Sequence, residues 1–123
     1  NAAPRVTFFA AAPAADGVVE LTVWISDQEG DPVDLEVSYA IGGGDDETPI
    51  WAPGGHGTSG LTTEEARFDP EGQAHLLTWD VSDLDISQSV TFTFSPDDLI
   101  DAGATVTTPS FVPAEGLSEV VGL

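Results

Sequence analysis

The chain has 123 residues, 41% of them hydrophobic, and its 22 Asp and Glu residues are opposed by only Arg5 and Arg67, for a formal net charge of −20. This length predicts one domain with a core of its own, and the apolar content argues against a disordered acidic chain. The charge excludes a nucleic-acid partner and an anionic membrane surface, because both attract basic residues. The chain also has no apolar run of the ~20 residues that a membrane-spanning helix needs.

The acidic excess and the lack of Cys also bear on the protein's surroundings. A charge of −20 destabilises a compact chain unless salt screens it or cations neutralise it. Without Cys no disulfide contributes, so the core or bound metal must supply the stability. Met is absent even at position 1, and we expect a mature secreted product or a segment of a longer surface protein. An extracellular or cell-surface location in a halophilic or marine setting is therefore expected.

The first third of the chain alternates between apolar and polar residues, a pattern typical of strands. A first strand is predicted over 5–11, followed by the Asp16-Gly17 turn and a second strand over 18–26. The clearest strand is 33–41, in which every second side chain is apolar and expected to face a core.

The rest of the chain is less regular. Further strands are predicted over 48–52, 73–81, 89–94 and 104–112. The Gly-rich stretch 53–60 is a loop, whereas 61–68 fits a short strand, a turn of helix or an irregular crossing. Residues 1–4 and 114–123 are interpreted as tails, linkers or inter-subunit segments of a single domain, 1–123.

Seven or eight short strands and no convincing helix predict an all-β fold, a single antiparallel β-sandwich. ISDQEGDPVDLEVSYA (25–40), GQAHLLTWDVSDLD (72–85) and VTFTFSPDD (90–98) resemble immunoglobulin-like, fibronectin-III-like and cadherin-like repeats of microbial cell-surface proteins. The resemblance spans 5–113 and rests on strand and turn patterns. It lacks the cadherin linker motif and the Cys pair of antibody domains, so it carries over no calcium ligands.

A fibronectin-like connection of the strands would gather the acids at two ends of the sandwich. We call these ends the first and the second pole. The first pole would hold Asp27, Glu29, Asp31, Asp97, Asp98 and Asp101. The second pole would hold Asp80, Asp83 and Asp85, with Asp16, Asp45 and Asp46 nearby. Clustered carboxylates on loops suit calcium, which takes about 6–8 oxygen ligands. Asp is also an ordinary turn residue, so the acids are interpreted either as calcium ligands or as residues of polar turns.

Other candidate residues are few. Trp24 lies on the opposite face of its strand from Leu21 and Val23, and Trp51 lies in a short edge segment. Each is interpreted as a glycan or protein contact, or as a ring covered by a loop. His56 lies in the Gly-rich loop, but no nucleophile-elbow motif accompanies it, and no enzyme activity is predicted.

These features predict a non-catalytic extracellular structural or adhesion module, with calcium as the cation that would stiffen it. Its partners would be neighbouring domains or identical subunits. The alternative is a subunit of an extracellular filament, in which an apolar end segment adds a strand to a neighbour's sheet. Carbohydrate binding through Trp24 or Trp51 is a third hypothesis.

Overall fold

A computed structural model describes residues 3–53 and 57–123, and within these ranges the chain is all β. Its seven strands are β1 (Arg5–Ala11), β2 (Val18–Ser26), β3 (Asp34–Ile41), β4 (Gln73–Asp80), β5 (Val90–Asp97), β6 (Val106–Thr107) and β7 (Val121–Gly122). They form two antiparallel sheets, with strand orders β4-β2-β1-β7 and β3-β5-β6. The predicted all-β sandwich is confirmed. Over the same two ranges, no helix has the length and apolar character needed to cross a membrane.

Period-two alternation determines which side of each strand enters the core. In β2, Val19, Leu21, Val23 and Ile25 are fully buried, whereas Trp24 between them is half-buried on the outer face. The strand can bury every second residue because β1 and β4 satisfy its backbone groups from both sides.

Aromatic rings join the two sheets, and Phe92 of β5 lies at their centre with no exposed surface. Its ring centroid is 4.8 Å from that of Trp79 in an edge-to-face arrangement. Four further rings surround it at 5.8–6.3 Å, those of Phe9, Tyr39, Phe94 and Phe111. Because β1 and β4 belong to one sheet and β3 and β5 to the other, this cluster fixes how the sheets face each other.

Two segments cross between the sheets and are not strands. Glu47 makes a bridge with Tyr39 of β3, and Trp51 makes one with Trp79 of β4. The predicted strand at 48–52 is therefore a connection that passes from the edge of one sheet to the edge of the other. The uncertain 61–68 is likewise an irregular crossing, which contacts the chain near Val33 at one end and near Asp27 at the other.

The C-terminal segment lies along the free edge of β1. Leu117 N–H donates to Ala11 O and Leu123 N–H to Thr7 O, both at 2.9 Å, and β7 pairs with Phe8 and Phe9. Gly116 is required where this segment meets β1, since its φ is +67° and a Cβ there would lie 2.6 Å from Ala11 O. β7 therefore runs towards the first pole, where β1 begins.

We expect Phe92→Ala to lower the free energy of unfolding by about 3–5 kcal/mol, the usual cost of emptying an aromatic site in a core. Chemical denaturation followed by Trp fluorescence would measure the loss. Phe68→Ala is the matched control, because Phe68 is 67% exposed and its truncation should cost less than about 1 kcal/mol. Equal losses from the two variants would show that the two sheets do not depend on this ring.

Candidate metal centre

Asp27 directly follows β2, yet its side chain is only 1% exposed. Its Oδ1 accepts hydrogen bonds from the backbone N–H groups of Glu29 (3.0 Å) and Asp31 (3.1 Å). The loop thus folds back over the carboxylate of its own first residue. This is the local chemistry that Asp favours in turns.

The crossing segment holds this loop from outside. Thr63 Oγ1 donates to Asp31 O at 2.7 Å, and the backbones of Asp27 and Glu65 form a parallel bridge. Gly30 adopts φ of +77°, and a Cβ there would lie 3.1 Å from Glu65 N. Any other residue at position 30 would have to adopt a strained conformation and displace the crossing segment. Asp27 is therefore fixed facing inwards.

Asp98, just beyond the end of β5, repeats the arrangement. Its side chain is 4% exposed. Its Oδ1 accepts hydrogen bonds from the backbone N–H groups of Ile100 (2.9 Å) and Asp101 (2.7 Å). Leu99, which lies between Asp98 and Ile100, has a φ of +71°, a left-handed conformation that is uncommon outside Gly. This second loop therefore also wraps around its own inward-facing carboxylate.

The two loops bring three carboxylates together at the first pole. Oxygens of Asp27, Asp31 and Asp98 lie within 4.8 Å of one another, and we call these residues the carboxylate triad. Calcium binds oxygens at about 2.3–2.6 Å, so two ligands of one ion lie at most about 5 Å apart. The triad is therefore compact enough to hold a single calcium ion.

One oxygen of the triad is chemically unsatisfied. Asp27 Oδ2 is buried and receives no hydrogen bond, although the Oδ1 of the same carboxylate receives two. A buried acceptor without a partner is costly, and an ionised one more so. A cation would satisfy this oxygen, as would a proton shared with Asp98.

The pKa of Asp27 reflects these surroundings. Burial raises it above the ordinary value of 3.8, the N–H groups of Asp31 and Glu29 lower it, and the carboxyls of Asp98 and Asp31 raise it again. The net direction is upwards, because desolvation and like charges both disfavour the ionised form. A bound cation would reverse this balance, since it stabilises the ionised carboxylate.

The other residues predicted for the first pole do not join the triad. Asp97 is exposed, and its Oδ1 accepts a hydrogen bond from Leu99 N–H at 2.8 Å. Glu29 and Asp101 are exposed and contribute to the site through their backbone N–H groups. The sequence accounts for only part of this selection. Asp27, Asp31 and Asp98 continue the inward positions of β2, β3 and β5 in steps of two, which distinguishes them from Asp97 and Asp101, but Glu29 falls in the same series as Asp27 and Asp31.

At the second pole the structure places Asp80, Asp83 and Asp85 in turns of their own. Asp80 Oδ1 accepts hydrogen bonds from Ser82 Oγ (2.7 Å) and Ser82 N–H (2.9 Å), and Ser87 binds Asp85 in the same way. The Ser hydroxyl first, and the backbone N–H second, lower the pKa of each of these two carboxyls. Asp83 is exposed. Among residues 3–53 and 57–123, these three carboxylates form no metal-sized group.

The two candidate Trp residues are both half-buried. Phe8 covers Trp24 edge-to-face, with ring centroids 6.4 Å apart. Trp51 packs against the core beside Trp79. The glycan or protein contact predicted for these two residues stays a prediction, and His56 lies outside the described residues.

In EDTA at neutral pH, we expect Asp27→Asn to stabilise the fold by on the order of 1 kcal/mol, or roughly 4 °C in Tm, because it removes an unsatisfied buried charge. Asn keeps the oxygen that Glu29 and Asp31 bind and adds an N–H donor. Because the pKa of Asp27 is raised in the folded state, ionisation of Asp27 destabilises the fold at neutral pH. The stability advantage of Asn should therefore fade as the pH falls towards the pKa that Asp27 has in the unfolded chain. Thermal unfolding between acid and neutral pH measures this trend.

Asp83→Asn is the control, because it removes the same charge from an exposed side chain. It should change Tm little and show no comparable dependence on pH. An equal gain from both variants would mean that general repulsion, and not burial of Asp27, destabilises the protein.

Comparisons of the chain with protein-family models, with curated proteins and with solved structures find no match in any of the three. The most specific chemical feature of the first pole in the described ranges is the carboxylate triad.

Proposed function

We propose that this domain is a non-catalytic structural or adhesion module of an extracellular protein, stiffened at its first pole by a calcium ion. The observation that carries the proposal is the carboxylate triad, in which the buried Asp27 Oδ2 receives no hydrogen bond. A ligand set made only of carboxylate oxygens suits a hard cation such as calcium and not the softer metals that prefer nitrogen and sulfur.

The position of the triad explains why an ion there would stiffen the module. Asp27 and Asp31 lie on the connection between β2 in one sheet and β3 in the other, and Asp98 follows β5. One ion would therefore tie a loop between the sheets to the end of a strand. β1 begins at this pole and β7 runs towards it, so the ion would also brace the end where polypeptide enters and leaves the sandwich.

The proposed extracellular location agrees with the calcium affinity expected of the carboxylate triad. Three carboxylates are fewer protein ligands than a complete calcium-binding loop supplies, so water would fill the remaining positions. Calcium sites of extracellular modules often bind with Kd of about 10⁻⁴–10⁻³ M, a range that extracellular calcium saturates. The net charge of −20 also favours a salt-rich environment. The two-sheet strand order is compatible with the resemblance to surface-protein repeats.

Thermal unfolding in EDTA and in excess calcium, each at low and at molar NaCl, tests the proposal. We expect calcium to raise Tm at both salt concentrations, because a ligand at 100 times its Kd stabilises the folded state by about 2.7 kcal/mol. That corresponds to roughly 10 °C for a domain of this size. Molar NaCl separates a specific site from loose attraction, since the Debye length there is only about 3 Å.

Single substitutions show which carboxylates are responsible for the rise in Tm that calcium causes. Asp27→Asn and Asp98→Asn should each abolish most of the calcium response, whereas Asp83→Asn at the second pole should retain it. If NaCl alone stabilises the protein and calcium adds nothing in molar salt, the acids form only a solvated surface and the proposal is wrong. A calcium response that survives Asp27→Asn and Asp98→Asn would place the ion elsewhere.

A second candidate is a filament subunit that assembles by strand addition. The observation that favours it is the outer edge of β1, which pairs with a short strand of two residues, Val121 and Gly122, and with the backbone N–H groups of Leu117 and Leu123. The corresponding segment of another copy would make the same main-chain hydrogen bonds if it replaced β7. A head-to-tail exchange of this kind does not close and so propagates.

We expect such exchange to give concentration-dependent oligomers in molar NaCl, where repulsion between copies is screened. Size-exclusion chromatography with light scattering, followed by electron microscopy, would detect them. A monodisperse monomer at high concentration, with no polymers in micrographs, would rule out the filament and leave the calcium-stiffened module unaffected.

A further inference from the structure

We propose that an open groove at the first pole binds a uronate, a sugar that carries a carboxylate, through Arg5 and Arg67. The groove has a volume of about 860 Å³. Its polar lining comes from Arg5, Ser26, Gln28, Glu29, Glu65 and Arg67, and we call it the arginine groove. This inference goes beyond the proposed function and does not depend on bound calcium.

The first observation is where the basic residues lie. The chain has 22 acidic residues and only two Lys or Arg residues, and both of those line this one groove. Two guanidinium groups therefore lie together on a protein whose net charge is −20, and Glu29 and Glu65 of the same groove offset their charge. Guanidinium is planar and presents paired N–H donors that match a carboxylate.

The second observation is that Arg67 is held in position. Its Nε donates to Glu65 Oε2 at 2.7 Å, and its Cζ lies 4.5 Å from the ring centroid of Phe68. Guanidinium has five N–H donors, so the bond from Nε leaves those of the two terminal nitrogens for a ligand. The side chain of Arg67 is 72% exposed, and the group is therefore both oriented and accessible.

Arg5 is anchored differently. It is the first residue of β1, where it pairs with Ser26 of β2, and its side chain is exposed. Its backbone is thus fixed by a rigid sheet, whereas Arg67 belongs to the crossing segment. The two cations approach the groove from separate elements, which suits a ligand that extends between them.

The remaining lining favours a sugar over an acidic peptide. Gln28 and Glu65 place acceptor oxygens in the same groove, and the hydroxyl groups of a sugar are donors for such acceptors. The side chains of an acidic peptide carry no hydroxyl donors for these acceptors. A second copy of this chain would bring its own charge of −20. Carboxylates that alternate with hydroxyl groups, as in linked uronate units, match both kinds of group.

Isothermal titration with trigalacturonate in EDTA and moderate NaCl tests this inference. EDTA keeps calcium away, so failure here is distinct from failure of the calcium proposal. We expect saturable binding that Arg5→Gln and Arg67→Gln each weaken about tenfold or more, the effect of losing a charge-assisted hydrogen bond. The affinity of Arg67→Lys should lie between those of the wild type and Arg67→Gln, because Lys keeps the positive charge and lacks the planar guanidinium group.

Ser118→Asp is the control for net charge. It makes the protein one unit more negative, as the Arg→Gln variants do, at an exposed position outside the groove, and it should bind like the wild type. The thermal response of each Arg variant in molar NaCl would show that it is folded.

Two other ligands test whether binding needs the carboxylate and whether it needs the sugar. Neutral trigalactose should bind much more weakly than trigalacturonate, and equal binding would overturn the role of the carboxylate. Triaspartate should also bind weakly; equally tight binding that depends on both Arg residues would assign the groove to acidic peptides instead. Absence of trigalacturonate binding, or binding that both Arg→Gln variants retain, would overturn the inference.

Discussion

The alternation of side chains along the core strands is the constraint on which the first pole depends. In β2 the inward positions run from Val19 to Ile25 in steps of two, and the next inward position is Asp27. In β5 the series from Val90 to Pro96 continues to Asp98 in the same way. Since a strand cannot rotate one residue without exposing its apolar face, packing of the core commits these carboxylates to the interior.

This placement puts charge where the protein is least able to solvate it. Backbone N–H groups from each loop satisfy one oxygen of Asp27 and one of Asp98, but Asp27 Oδ2 is left without a donor. Aliphatic side chains would fill the same space at lower cost. A cation bound at Asp27 Oδ2, or a proton shared with Asp98, would remove this cost. At the second pole, by contrast, Ser hydroxyls satisfy the exposed carboxylates locally.

Several features converge on the first pole through a single loop. Residues 27–31 give two members to the carboxylate triad, and Gln28 and Glu29 of the same loop line the arginine groove. The crossing segment supports both, since Thr63 and Glu65 hold the loop while Glu65 also orients Arg67. A change in the loop would therefore reach both sites, whereas substitutions of the Arg side chains leave the triad intact. This arrangement is what makes the calcium and uronate proposals experimentally separable.

The sequence by itself determined the fold class and the main strands, because alternation and turn residues are local signals. The predicted bounds of β1 and β2 match the structure, and the all-β sandwich follows from the same pattern. These local signals predicted strand bounds less well where pairing with a neighbouring strand decides how far a strand extends. β5 extends beyond the predicted 89–94 to Asp97 because β3 pairs with it along its whole length, and the expected strand over 104–112 is reduced to two residues and a bridge at Phe111.

Only the tertiary structure decided which acids meet. Of the six acids predicted for the first pole, folding brings the carboxylates of Asp27, Asp31 and Asp98 together, whereas the side chains of the other three are exposed. The placement of Arg5 and Arg67 in one groove likewise requires the crossing segment to lie beside the start of β1. Residue identity and spacing encode what a strand buries, whereas contacts between distant segments depend on how the sheets pack, and this packing is a property of the whole chain.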